Sequence, residues 1–168
     1  MINALFAVDH YGNMGFNGKL PWPHNAADLA NFQRHTMGHV VVMGRHSWDD
    51  PDMPKPLNGR VVYVATHKRT QHASTISGDI VEEVLKLEKR HPDKIVWIVG
   101  GPAIITACSE IVDRVHVTHF KGAYKADTKI DLKSYLTGFI PVRAEVAKDF
   151  QSTFVKYAPL FKRAPQNI

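Results

Sequence analysis

The sequence predicts a single α/β domain: a central, mostly parallel sheet flanked by helices and ended by an antiparallel C-terminal hairpin. Three observations carry this. Val40-Val41-Val42-Met43, Val61-Val62-Tyr63-Val64-Ala65 and Ile95-Val96-Trp97-Ile98-Val99 are near-continuous apolar runs. Such runs suit strands covered on both faces. Helical patterns lie between them, as in 80–90, where Ile80, Val81, Val84, Leu85 and Leu87 share one face. The tail then changes to two strand-like segments around a polar turn. Strand and helix alternation argues for an α/β domain.

Strands are expected at 3–8, 39–43, 60–65, 95–99 and 114–120, and helices at 26–37, 80–90 and 103–111. Asn25 is a good N-cap for the first helix. Pro102 suits a first helical position, where its missing N–H costs nothing. The hairpin is expected from 142–147 and 153–160, turning at Asp149-Phe150-Gln151. The proline-rich stretch 51–56 reads as a surface excursion. One domain is expected over 1–163, with 164–168 a loose tail.

A chain of 168 residues with 44% apolar and 22% charged content can bury one core. It has no apolar run that would span a bilayer and no leader pattern, so a cytoplasmic protein without membrane contact is expected. The single cysteine, Cys108, excludes an internal disulfide and suits a reducing compartment. Its apolar helical setting suggests a buried, inert thiol. No Cys/His array has zinc spacing, so no metal is expected. The net charge of +5 is scattered. That argues against nucleic acid and suits a basic cleft for a small anion.

Residues 12–45 are the most informative stretch. Gly12, Gly15 and Gly18 make a loop able to move and to approach a ligand, and Pro21 then fixes its direction. Asp28 and Phe32 are four apart and share a helix face, with Leu29 beside them. A lone carboxylate there can grip a heterocycle presenting adjacent N–H donors. The plainer reading is an acid favoured in a first helical turn. In open α/β sheets, ligands sit beyond the carboxyl ends of strands. Ala7, Gly44-Arg45, Thr66-His67-Lys68 and Gly100-Gly101 all fall at such ends. Gly44-Arg45-His46-Ser47 would open a helix whose unpaired N–H groups suit pyrophosphate. Alternatively, Arg45 simply pairs with Asp49 at helical spacing.

The blocks Leu20-Pro21-Trp22, Ala27-Asp28-Leu29 with Phe32 and Thr36, and Val41 to Trp48 resemble the dihydrofolate reductase family. So do Pro56 to Arg60, Val99-Gly100-Gly101, Val117-Thr118-His119 and Ala126-Asp127-Thr128. They occur in family order over most of the chain. The resemblance implies NADPH-dependent reduction of 7,8-dihydrofolate to tetrahydrofolate by a monomer. It implies Asp28, Trp22 and Leu20 as the catalytic group. Phe32, Leu29, Leu57, Val99 and Thr118 would hold the substrate, and Arg60 its α-carboxylate. Ala7, Gly15, Gly44, Arg45, His46, Ser47, Thr66, His67, Lys68, Gly100 and Gly101 would hold the cofactor. It also implies a cis peptide at Gly100–Gly101.

The chain departs from the family pattern at Pro102, Ala103 and Ile105. It also carries extra residues near Pro23 and around Asp52–Lys55. Two other readings remain at this point. One is a same-fold reductase acting on another pterin or on a pyrimidine of riboflavin synthesis. The other is a nucleotide- or nucleic-acid-binding module without turnover.

Overall fold

A computed structural model describes residues 1–164; the rest of the expected tail lies outside the described residues. The strands are β1 (Ile2–Val8), β2 (Asn13–Gly15), β3 (Val40–Gly44), β4 (Val61–Ala65), β5 (Ser74–Ile76), β6 (Val96–Gly100), β7 (Arg114–Phe120), β8 (Thr128–Lys129), β9 (Phe139–Val146) and β10 (Ser152–Pro159). The helices are α1 (Ala26–Thr36), α2 (Arg45–Trp48), α3 (Ile80–Arg90), α4 (Pro102–Ala107) and α5 (Leu132–Tyr135).

Eight strands form one sheet in the order β5-β4-β3-β6-β1-β7-β10-β9. Every pairing from β5 to β7 is parallel, while β10 runs antiparallel to both β7 and β9. The apolar runs occupy central strands, and Val40 to Met43 are fully buried. Alternation of side chains across a strand divides the core in two. Ala4, Phe6, Val42, Ile98, Val115 and Val117 pack with Val84 and Leu87 of α3 and Ile104 and Ile105 of α4. On the other face Val41, Met43, Val62 and Val64 pack with Trp48 and Leu57, and with partly buried Phe32 and Val99.

Local chemistry sets the helix ends. Asn25 Oδ1 accepts the Asp28 N–H at 2.8 Å and starts α1; losing such a cap costs about 1 kcal/mol. Asp79 does the same for α3, accepting from the Glu82 N–H at 3.1 Å. Helix α4 begins at Pro102 but ends at Ala107, short of the expected 111. Ile111 and Val112 are core residues held in turns, where the Ile111 N–H reaches the Cys108 carbonyl at 3.1 Å.

The hairpin begins earlier than expected, because β9 runs through Pro141. A proline is tolerated on an edge strand, where its absent donor would face solvent. The short pair β2 and β8 forms a separate two-stranded sheet. Asp9 anchors its base. Although burial pushes its carboxyl up, hydrogen bonds from Asn13, Tyr124 and Tyr11 hold it below the usual range. No helix among the described residues is long and apolar enough to cross a membrane.

Candidate active site

A cavity of about 380 Å³ opens at the carboxyl end of β1, β6 and β7, between the sheet and α1. That volume suits a small organic ligand. Nine residues singled out in the sequence line it: Ala7, Leu20, Trp22, Asp28, Leu29, Phe32, Ser47, Val99 and Thr118. Helix α1 brings Asp28, Leu29 and Phe32 to one wall, as their spacing requires. Ala7, Val99 and Thr118 rise from three adjacent strands on the same sheet face.

Asp28 is both the helix's first-turn acid and a cavity residue, so the two readings of it are compatible. Burial raises its carboxyl above the ordinary value, and the hydrogen-bonding Thr118 hydroxyl pulls the other way. A carboxylate held in this setting favours a partner offering N–H donors or a proton.

Trp22 is 5% exposed. Its ring stacks on Phe120 at 4.3 Å between centroids and meets Tyr124 edge-on at 5.9 Å. Its indole N–H is buried without a partner. Such a donor, at the edge of a cavity that also carries the Asp28 carboxyl, can seat an ordered water.

Leu20, by contrast, is 51% exposed at the mouth. The loop carrying it is tied at its start by the β2–β8 pairing and by Asp127, whose Oδ2 accepts the Asn17 N–H at 3.0 Å. Phe16 and Lys19 also exchange both backbone hydrogen bonds, at 2.8 and 3.1 Å, so the loop is paired through Lys19, just before Leu20. The opposite lip is the excursion Asp50, Asp52, Met53 and Pro54. Lys19 reaches across it to Asp52 at 3.7 Å; both groups are exposed, so this pair stabilises little.

The other singled-out residues lie outside this cavity's lining. Leu57 is buried in the second core beside Trp48. Arg60 stands near the C-terminal end of α1, with Nη1 3.4 Å from Thr36 Oγ1 and Nε buried without a partner. Burial lowers its guanidinium below the usual value. Gly15 lies in β2, close to Thr128.

Gly44, Arg45, His46, Gly100 and Gly101 gather where β3 and β6 end side by side. The Gly100–Gly101 peptide is cis. A Cβ on Gly100 would stand 3.0 Å from Ser47 Oγ, and φ there is +151°, so glycine is required at this turn. The helix expected after Gly44 is the single turn α2. One turn sums few peptide dipoles, so Arg45 carries most of the positive charge there. Its Nε meets Asp49 Oδ2 at 2.7 Å, as the plainer reading held, yet its Nη1 is buried and unpartnered. Thr66, His67 and Lys68 follow β4, where Thr66 Oγ1 accepts the Lys68 N–H at 3.1 Å and bends the loop. Ile105 is fully buried in the core and Ala103 is exposed.

As cavity lining, sequence reasoning missed Leu5, Phe6, Lys19, Pro23, His24, Asn25 and Asn31, and the lip residues Asp50, Asp52, Met53 and Pro54. Alternation along the first strand pointed to Leu5 beside Ala7. Nothing in the sequence placed the lip.

Residues 1–157 match the sequence profile of the family described as Dihydrofolate reductase. The chain is 30% identical over 169 residues to the dihydrofolate reductase of Gallus gallus, covering 88% of this chain and 89% of that protein. It is 26% identical over 157 residues to dihydrofolate reductase type 8 of Escherichia coli, covering 89% and 85%. A dihydrofolate reductase from Enterococcus faecalis, solved with NADP(H) and RAB-propyl, superposes with a TM-score of 0.82 at 23% identity, covering 96% of this chain and 97% of that one. Arranged around one raised carboxylate, on a fold and a sequence shared with these proteins, the chain belongs to the dihydrofolate reductase family.

Proposed function

We propose that this chain reduces 7,8-dihydrofolate to 5,6,7,8-tetrahydrofolate with NADPH, in support of one-carbon and thymidylate metabolism. The observation that carries the reading is Asp28, a carboxylate raised by burial on the wall of a largely apolar cavity. The flat pterin lies between Phe32 and Leu29 on α1 and Ala7 and Val99 on the sheet. Asp28 accepts from the N3 and 2-amino edge, and Thr118 fixes its orientation. The Trp22 indole N–H holds a water at the cavity edge, through which a proton reaches N5. Leu20 closes over the ring when the loop folds down, and excluding bulk water strengthens each of these contacts.

Arg60 fits the glutamate tail. It is a partly buried cation with an unpaired Nε, which a carboxylate would satisfy in a fork. For NADPH, the Gly100 turn keeps the backbone open above Ser47. Arg45 offers an unpartnered buried N–H. His67 and Lys68 add donors for a 2′-phosphate, and Gly44, His46, Thr66, Gly101 and Gly15 complete the cradle. NADPH supplies the hydride when bound. The protein orients two rings, and a near-attack geometry can supply about 7–11 kcal/mol of a barrier.

Cys108 is buried, its thiol pushed by burial up to about 11, and it takes no part in this chemistry. The test is NADPH oxidation by the purified chain with 7,8-dihydrofolate. Turnover with formation of tetrahydrofolate supports the reading. Turnover only with another pterin or with a pyrimidine intermediate would replace it.

A further inference from the structure

A second cavity lies on the same sheet face, at the opposite end of α1. It encloses about 670 Å³, and its floor is the start of β1, β6 and β7. Its lining is unusual for a sheet face under a helix. Trp97, Asn3 and Arg114 are register partners across three adjacent strands. Trp97 is 2% and Asn3 3% exposed. The Trp97 indole N–H and the Asn3 Oδ1 are both buried without partners. A buried donor and a buried acceptor on neighbouring strands, both unsatisfied, cost free energy unless something pairs with them.

The walls are aromatic. His35 and His116 meet at 4.8 Å between ring centroids, and Trp97 meets His116 at 5.1 Å and His35 at 5.5 Å. Burial lowers His116 to about 3, with His35, Lys156 and Arg114 adding repulsion. Burial likewise lowers His35, with Arg34 and Lys156 contributing. Burial thus favours the neutral form of both imidazoles, against the Asn31 carbonyl that bonds His35.

The rim is cationic, made of Arg34, Arg114, Arg143 and Lys156. Only part of that charge is answered. Among the described residues, Arg143 faces Glu145 at 3.9 Å, while Arg34 and Arg114 bond only to neutral oxygens of Asn31 and Asp113. Lys156 has no hydrogen bond or ion pair among the described residues.

We propose that this cavity is a second ligand site, for a small organic anion whose planar head carries an adjacent N–H and C=O. The carbonyl takes the Trp97 N–H, the ligand N–H gives to Asn3 Oδ1, and the anionic tail meets the Arg114 and Lys156 rim. An N–H/C=O edge fits because one wall atom only donates and its neighbour accepts. A phosphate or carboxylate tail fits because Arg114, which gives Nη1 to the neutral Asp113 carbonyl, keeps further N–H donors for an anion. The proposal does not depend on which substrate the first cavity takes.

Uridine 5′-monophosphate carries both halves and serves as the probe. The experiment titrates the full chain by calorimetry with this nucleotide, with uridine, and with inorganic phosphate. The nucleotide is expected to bind at least tenfold tighter than uridine or phosphate, and folate is expected not to displace it. Trp97→Phe, which keeps a ring and deletes the N–H, and Lys156→Gln should each weaken it about fivefold or more. The Lys156→Gln variant keeps the test available should Trp97→Phe fail to fold. Four outcomes would overturn the proposal: no saturable nucleotide binding, equal affinity for phosphate alone, displacement by folate, or full affinity in every folded variant.

Discussion

Replacing Trp22 by phenylalanine separates what its ring does from what its N–H does. The ring packs on Phe120 at 4.3 Å, and phenylalanine keeps most of that contact. The smaller side chain leaves a void of roughly 40 Å³, costing about 1 kcal/mol at the usual cavity rate. Against this, the change removes a buried, unpartnered donor, a group whose desolvation costs about 1–3 kcal/mol. The net lies between zero and about 2 kcal/mol in favour of the variant, so the melting temperature of the free protein should stay level or rise by up to about 8 °C. Activity has no such offset. If the indole seats a water against the substrate, losing one neutral hydrogen bond of about 0.5–1.5 kcal/mol lowers kcat/KM about two- to twelvefold. Steady-state kinetics with NADPH and dihydrofolate, beside a thermal melt, read both quantities. Unchanged kcat/KM with a much lower melting temperature would refute the argument and leave Trp22 as packing alone.

Gly100→Ala should lose about 1–3 kcal/mol to its backbone conformation and push the new Cβ onto Ser47; a melt and an NADPH titration should show both a lower melting temperature and weaker binding. Arg45→Ala should narrow the preference for NADPH over NADH by about tenfold, the low end for a charge-assisted bond because Asp49 already holds Nε; an unchanged kcat/KM ratio would count against it. Asp127→Ala should free the loop near Asn17 and speed amide exchange over 16–21, measured by mass spectrometry. The same clasp is pH-dependent. The Asn17 N–H and the Thr128 hydroxyl hold the exposed Asp127 carboxyl below its ordinary value. It is therefore intact above the unfolded carboxylate pKa and released as pH falls through the lowered one, and exchange should quicken there.

Much of this was legible because it is local. Asn25, Asp28 and Phe32 define a capped helix with a polar group on an apolar face, and the helix is found with that cap. The continuous runs 40–43, 61–65 and 95–99 read as central parallel strands because burial on both faces leaves no alternation. What failed was too short, or depended on distant partners. Strands β2, β5 and β8 have two or three residues, fewer than any periodicity can reveal. Pro141 hid the start of β9. Ile111 extended a helical pattern that the chain spends on a core-facing turn. The lip from Asp50 to Pro54 becomes part of the site only because the loop lies opposite it. Trp97, Asn3 and His116 looked like ordinary strand residues until register placed them together.

Asp28→Asn tests the central claim most directly. The substitution keeps shape and helix start while removing the charge that burial has raised toward protonation. The purified variant's kcat/KM for dihydrofolate, followed against pH beside the unaltered protein, gives the answer. The account predicts a loss of about 10²–10⁴-fold at neutral pH, the usual worth of a positioned acid or base. The gap should narrow in acid, where the substrate arrives already protonated. Near-normal turnover of Asp28→Asn at neutral pH would contradict it, and would return Asp28 to the first turn of its helix.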